Sequence, residues 1–95
     1  MRLKPEIAND LKQMIGERIP GSSVFLFGSR VDVNARGGDI DLMILSQEVI
    51  EKQTLRKIRL EFIKKWGWQK LDLVNFTYSS DSSFRKIIEQ SCIPL

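Results

Sequence analysis

The sequence predicts a small α/β fold in which helices flank a mixed β-sheet. Stretches whose apolar residues recur every three or four positions alternate with short apolar runs, and these runs end at glycine or polar residues. The resulting order is helix, strand, polar loop, strand, long helix, strand, helix. A chain of 95 residues has room for one hydrophobic core, so residues 1–95 are predicted to form a single domain.

Three segments have the periodicity of amphipathic helices. The first, residues 5–19, has a proline at an early helical position and ends before Pro20-Gly21. The longest, residues 47–66, has an apolar stripe opposite most of its lysines and arginines and ends at Gly67. The last, residues 82–90, can be capped by either of its first two serines. The apolar positions behind these assignments are Ile7, Leu11, Met14 and Ile15, then Leu55, Ile58, Phe62 and Trp66, then Phe84, Ile87 and Ile88.

Three short runs are predicted to be strands. Residues 23–27 form an apolar run that stops abruptly at a Gly-Ser pair, as a buried strand would. Residues 39–45 start with alternating carboxylates and hydrophobes and continue as an apolar run. Residues 70–77 alternate apolar side chains around one carboxylate, and the polar segment 30–38 is predicted to be a loop. Residues 92–95 are too short to assign.

Composition and charge exclude several classes of protein. Cys92 is the only cysteine and the chain contains no histidine, so neither an intrachain disulfide nor a zinc site of the usual kind is expected. No apolar run is long enough to span a membrane and no leader is apparent, so a cytoplasmic location is expected. The net charge of +3 is scattered, apart from one cluster on the longest helix: Arg56, Lys57, Arg59, Lys64 and Lys65. That basic face carries no aromatic side chains that could stack on bases, so it is interpreted as a solvated surface and nucleic-acid binding is not expected.

Asp39 and Asp41 stand at the start of the second predicted strand. Side chains two residues apart in a strand point to the same face, so these carboxylates lie side by side and repel each other. Such a pair is a natural set of oxygen ligands for Mg²⁺ or Mn²⁺, which keep other positions open for phosphate oxygens. The alternative is structural: one aspartate caps the loop and the other pairs with Arg36 or Lys70 at the surface.

Two further elements can join this pair. Gly28 and Ser29 follow a buried strand, where glycine permits a tight turn and serine offers a hydroxyl and an N–H to a phosphate; a simple turn is the alternative. Asp72 lies inside the third predicted strand, where a carboxylate needs a compensating cation, either a metal or a salt-bridge partner. If the second and third strands are neighbours, Asp72 approaches Asp39 and Asp41 and completes a three-carboxylate cluster able to hold two metals.

Taken together, these motifs resemble the DNA polymerase beta nucleotidyltransferase superfamily, and most closely its minimal nucleotidyltransferase (MNT) branch. The motifs are Phe27-Gly28-Ser29-Arg30, then Asp39-Ile40-Asp41-Leu42, with nine residues between Ser29 and Asp39, and later Leu71-Asp72-Leu73. The likeness runs from the first helix to the last. One stretch departs from the family pattern, because residues 32–35 are not the small, basic run that often follows the Gly-Ser-Arg of MNT proteins.

The resemblance implies a polymerase-beta-like fold and a metal-dependent reaction on a nucleoside triphosphate. The residues it assigns are Gly28, Ser29 and Arg30 for nucleotide binding, and Asp39, Asp41 and Asp72 as catalytic and metal-binding carboxylates. The implied cofactor is Mg²⁺ or Mn²⁺, in a two-metal site. Arg36 is a second candidate, beside Arg30, for neutralising the pyrophosphate that leaves.

The resemblance also implies a partner, because MNT proteins resemble the antitoxins of toxin–antitoxin pairs whose toxin is a HEPN-domain protein. The implied activity is transfer of AMP from ATP to a tyrosine of that HEPN partner, within a hetero-oligomer. Two alternatives stay open. One is a catalytically silent module that neutralises its partner by contact, and the other is a small-molecule nucleotidyltransferase that needs a partner subunit.

Overall fold

The computed structural model describes residues 3–28 and 38–95, and within them it confirms the predicted class: three helices and a four-stranded mixed sheet. In chain order the elements are α1 (Pro5–Arg18), β1 (Ser23–Phe27), β2 (Ile40–Ser46), α2 (Lys52–Trp66), β3 (Leu71–Thr77), α3 (Ser83–Glu89) and β4 (Ile93–Pro94). None of the helices in these two ranges is long and apolar enough to cross a membrane.

The sheet has the strand order β3-β2-β1-β4. β1 pairs antiparallel with both β2 and β4, whereas β2 and β3 run parallel. Parallel neighbours need a long crossover, which α2 provides between β2 and β3. β2 therefore has a strand on each side and is buried along almost its whole length, which explains why it reads as an apolar run.

The two faces of the sheet are covered differently. One face packs against the two longer helices around a core that includes Leu11, Ile15, Ile58 and Phe62. On the other face, Met43 and Leu45 of β2 pack with Ile88 of the seven-residue helix α3. Asp41 lies on this second face because it precedes Met43 by two residues. The carboxylates are thus carried by the face of the sheet that has the smaller helical cover.

Helix α2 begins at Lys52, five residues later than the periodicity predicted. The Ser46 hydroxyl donates to the Glu48 carbonyl (2.7 Å), and the Ile50 amide donates to the Asn75 side chain (2.8 Å). These hydrogen bonds hold the chain in an irregular turn in which Ile50 is buried. Contacts with β3, a distant part of the sequence, therefore override the local helical pattern.

Residues Ile93 and Pro94 form the short edge strand β4, which the sequence left unassigned. They lie opposite Leu26 and Phe25 of β1 in antiparallel register. A proline is tolerated there because an edge strand has one side free of ladder hydrogen bonds. A strand of two residues carries no detectable periodicity, so only the folded chain reveals it.

Candidate active site

The predicted carboxylates meet at one end of the parallel strand pair. Asp41 and Asp72 occupy paired positions in β2 and β3, so both side chains project from the same face. One step earlier, the Ile40 amide donates to the Lys70 carbonyl (3.0 Å). That hydrogen bond extends the ladder beyond the first strand residues and sets Asp39 across from Lys70. The register of the sheet therefore gathers three acids and one lysine.

The Lys70 ammonium lies between two of the acids. Its Nζ atom is 3.6 Å from Asp39 Oδ2 and 3.8 Å from Asp72 Oδ2. All three side chains are half exposed, with 60% of the lysine, 49% of Asp39 and 46% of Asp72 accessible. The surface ion pair with Lys70, one of the alternatives raised by the sequence, is therefore present, and it joins the start of β2 to the start of β3.

The surroundings of Asp41 disfavour its ionised form. Burial raises the pKa of Asp41 above its ordinary value, and the hydrogen bond with Asp72 and the repulsion from Asp72 and Asp39 raise it further. The positive charge of Lys70 opposes this rise only in part. The Asp41 carboxylate is thus held where additional positive charge stabilises it.

Gly28 closes the site from the β1 side. Its φ of 77° lies in the left-handed region that glycine adopts without strain. A Cβ atom built on Gly28 would overlap Asp41 Oδ2 and would lie 3.2 Å from Asp41 Cγ. Glycine is therefore needed at this position for two reasons, the backbone conformation and the close approach of the Asp41 carboxylate.

The donor set fits a hard divalent cation, because Mg²⁺ and Mn²⁺ take carboxylate oxygens and would relieve the repulsion around Asp41. Within residues 3–28 and 38–95, however, no group of three acidic side chains is arranged so that all could hold one ion. The fold brings Asp39, Asp41 and Asp72 to one end of the β2–β3 strand pair, here called the acidic end, with the Lys70 ammonium among them.

An aromatic cluster that the sequence did not predict lies on the same face as the carboxylates. The Phe84 ring of α3 meets the rings of Phe27 and Phe76 edge to face, with centroids 6.3 Å and 6.1 Å apart. Phe27 is the strand partner of Asp41. The cluster therefore fixes α3 on the sheet beside the acidic end of the β2–β3 strand pair. Periodicity placed Phe84 on a helix but could not say which strand it packs against.

Ser29, Arg30 and Arg36 lie outside the described residues, as does most of the predicted loop at 30–38. The sequence indicated Lys70 only as a possible ion-pair partner of one aspartate, whereas the structure places it between two. Its signal was available, because it precedes Asp72 by two positions and so shares a face with that carboxylate.

The family model described as Polymerase beta, Nucleotidyltransferase matches residues 9–95. The match spans every predicted site residue, from Gly28 through Asp72. A comparison of the sequence with curated proteins gives no match.

Three solved structures have a similar fold. The tri-AMPylated HEPN toxin of Shewanella oneidensis in complex with MNT antitoxin matches with a TM-score of 0.73 and 16% identity, over 97% of this chain and 71% of that one. The toxin–antitoxin MntA–HepT matches with a TM-score of 0.71 and 15% identity, over 96% and 70%. A tyrosine-to-alanine mutant of the toxin–antitoxin MntA–HpeT matches with a TM-score of 0.74 and 18% identity, over 92% and 69%. At these identities the likeness is one of fold.

Proposed function

The chain belongs to the polymerase beta nucleotidyltransferase family, and we propose that it transfers a nucleoside monophosphate, AMP from ATP, to a hydroxyl group. One observation carries the proposal. Asp41 and Asp72 are paired on adjacent parallel strands, with Gly28 packed against the Asp41 carboxylate and Asp39 one residue pair away. Nucleotidyl transfer depends mainly on neutralising and positioning phosphates, and carboxylates grouped in this way serve that chemistry through a bound cation.

Asp39, Asp41 and Asp72 are the residues that would hold Mg²⁺ or Mn²⁺, in a two-metal site. Divalent ions held there would neutralise charge on the phosphates and would lower the pKa of the acceptor hydroxyl. Support comes from the raised pKa of Asp41, whose burial and acidic neighbours favour added positive charge. Further support comes from the exposure of Asp39 and Asp72, which leaves their oxygens accessible to substrate.

The proposed step exchanges one phosphate linkage for another. The acceptor oxygen bonds to the α-phosphorus, the bond from that phosphorus to the bridging oxygen breaks, and pyrophosphate leaves with the electron pair. The hydroxyl proton passes to a carboxylate, for which we propose the half-exposed Asp72. Gly28 and Ser29 would bind a phosphate through backbone N–H and hydroxyl groups. Arg30 or Arg36 would neutralise the pyrophosphate.

A HEPN-domain protein is the proposed partner, and a tyrosine of that protein is the proposed acceptor. The chain would then act as an antitoxin in a hetero-oligomer, in the cytoplasm where ATP is available. The proposal is supported by the fold shared with an MNT antitoxin in complex with a HEPN toxin, over almost the whole of this chain. It is also supported by the half-exposed carboxylates of Asp39 and Asp72, which the surface of a second protein can reach.

A catalytically silent binding module is the second candidate, and one observation favours it. The described residues contain no group of three acids that could hold one metal ion, and Lys70 already offsets part of the negative charge of Asp39 and Asp72. In this case the chain would neutralise its partner by contact alone. The two candidates differ in whether the partner gains a covalent nucleotide.

A labelling experiment separates them. The purified chain is mixed with a HEPN-domain partner, Mg²⁺ and one of four radiolabelled nucleoside triphosphates, and label on protein is followed. The double variant Asp39→Asn/Asp41→Asn removes two of the proposed ligands, and Asp81→Asn is the matched control because Asp81 is an exposed carboxylate on the loop before α3. Label on the partner that persists with Asp81→Asn and disappears with the double variant supports the transferase. Stable complex formation without label from any nucleotide supports the binding module.

A further inference from the structure

Lys70 is fixed in place by the sheet. Its carbonyl accepts the Ile40 amide at 3.0 Å, which aligns its backbone with Asp39 on the neighbouring strand. Because Lys70 precedes Asp72 by two residues, its side chain leaves the same face as that carboxylate. The strand register therefore fixes the backbone of Lys70 and the face from which its side chain leaves, while the exposed ammonium at the end of that side chain stays free to move.

The ammonium of Lys70 contacts two acids that belong to different strands, Asp39 at 3.6 Å and Asp72 at 3.8 Å. Another surface pair in the described part of the chain, Lys86 with Asp81, joins one lysine to one acid at 2.8 Å. The longer double contact places one positive charge where two negative charges converge. A lysine ammonium is a compact charge on a flexible stem, so it can enter or leave such a position without a change of fold.

We propose that Lys70 is the built-in counter-cation of the carboxylate site, and that it competes with a divalent metal for the oxygens of Asp39 and Asp72. This inference rests on the proposed function, in which those acids bind the metal. While no metal is bound, Lys70 stabilises the acids on the neighbouring strand ends. When the metal binds, Lys70 leaves the carboxylates and its charge becomes available to phosphate oxygens. The metal alone is therefore bound weakly, and metal bound together with a nucleoside triphosphate is favoured.

The competition can be measured with Mn²⁺ alone, by titration calorimetry in the absence of nucleotide. Lys70→Met keeps most of the stem and removes the charge, while Lys70→Arg keeps a positive charge. Lys64→Met is the control for net charge, because Lys64 is exposed on α2, which covers the opposite face of the sheet. In Lys70→Met, Mn²⁺ no longer has to displace the ammonium from two exposed ion pairs. This variant should therefore bind Mn²⁺ roughly threefold to tenfold more tightly than wild type. Lys64→Met should bind as wild type does, and Lys70→Arg no more tightly than wild type.

A second readout separates competition from a purely structural role. In EDTA, Lys70→Met should unfold at a lower temperature than wild type, because Asp39 and Asp72 lose their counter-charge. Saturating Mn²⁺ should remove most of that difference. Unchanged or weaker Mn²⁺ binding by folded Lys70→Met would overturn the inference while leaving the proposed function intact. If Lys70→Met, which lacks the competing charge, shows no Mn²⁺ binding that adding Asp41→Asn abolishes, the metal site itself is absent and both proposals fail.

Discussion

Asp41 and Asp72 are register partners on the parallel strands β2 and β3, so their carboxyl groups project side by side from one face of the sheet. The sheet thus holds two acids together where one of them, Asp41, is partly buried. An arrangement of this kind costs stability in the folded state when both groups are ionised. The Asp41–Asp72 pair lies at the end of the sheet that also carries Gly28, Asp39 and Lys70.

Replacing Asp41 with Asn should separate stability from activity. The folded-state pKa of Asp41 is raised, so the carboxyl favours folding below its unfolded pKa and this contribution is lost as pH rises through the folded value. At neutral pH, without metal, Asp41→Asn should therefore unfold at a higher temperature than wild type, while its transfer rate falls at least about a hundredfold. Thermal unfolding in EDTA at pH 7 and pH 4 measures the first effect. A variant that is less stable than wild type at pH 7 would contradict the account of Asp41.

Replacing Gly28 with Ala should damage the site more than the fold. The left-handed backbone costs an alanine about 1–2 kcal/mol, and the new Cβ overlaps the end of the rotatable Asp41 side chain. Gly21→Ala is the matched control, since Gly21 has a φ of 80° and a Cβ there would have no neighbour within 4 Å. Both variants should lose similar stability in denaturant unfolding, but only Gly28→Ala should bind Mn²⁺ about tenfold more weakly. Equal Mn²⁺ affinity of the two variants would show that the contact with Asp41 is unimportant.

Asn75 should be a major contributor to stability, because it ties β3 to the turn before α2. Its Oδ1 accepts the Ile50 amide (2.8 Å), and its Nδ2 donates to the Ile44 carbonyl (2.9 Å) and to Ser46 Oγ (3.0 Å). Asn75→Ala should lower the free energy of unfolding by about 2–4 kcal/mol, since it leaves partly buried polar groups without partners. Urea unfolding measures the loss. A loss below about 1 kcal/mol would mean that water replaces the asparagine.

Asp10 should make the stability of the chain sensitive to acid. Its carboxylate accepts hydrogen bonds from Lys65 Nζ (2.7 Å) and Trp66 Nε1 (2.8 Å), which link α1 to α2. Those bonds lower the pKa of Asp10 below its ordinary 3.8, so its contribution is present above that value and is lost as pH falls through the folded value. With a side chain only 19% exposed, Asp10→Asn should cost about 1 kcal/mol at pH 7 and much less at pH 2. Urea unfolding at both values tests this, and an equal cost at both would contradict it.

The sequence was sufficient for the features that depend on periodicity and short spacing. Two-residue spacing placed Asp39 and Asp41 on one face, and the apolar runs located β1, β2 and β3 with the helices between them. The prediction that Asp72 approaches Asp41 depended on the two strands being neighbours, and the parallel pairing confirms that condition.

Features that depend on contacts between distant segments were not predictable from local patterns. The Asn75 side chain that shapes the turn before α2 lies 25 residues from Ile50. The double contact of Lys70 follows from strand register, which the sequence alone did not specify. The edge strand β4 is defined only by its hydrogen bonds with β1.

The most direct test of the central claim is the intact mass of a HEPN-domain partner after incubation with this chain, ATP and Mg²⁺, followed by peptide mapping. The account predicts a mass increase equal to whole AMP groups, located on tyrosine, with pyrophosphate released in the same amount. Asp41→Asn should give no increase, and Asp81→Asn should give the wild-type increase. An unmodified partner, in a stable complex with the wild-type chain and with Mg²⁺ and ATP in excess, would contradict nucleotidyl transfer.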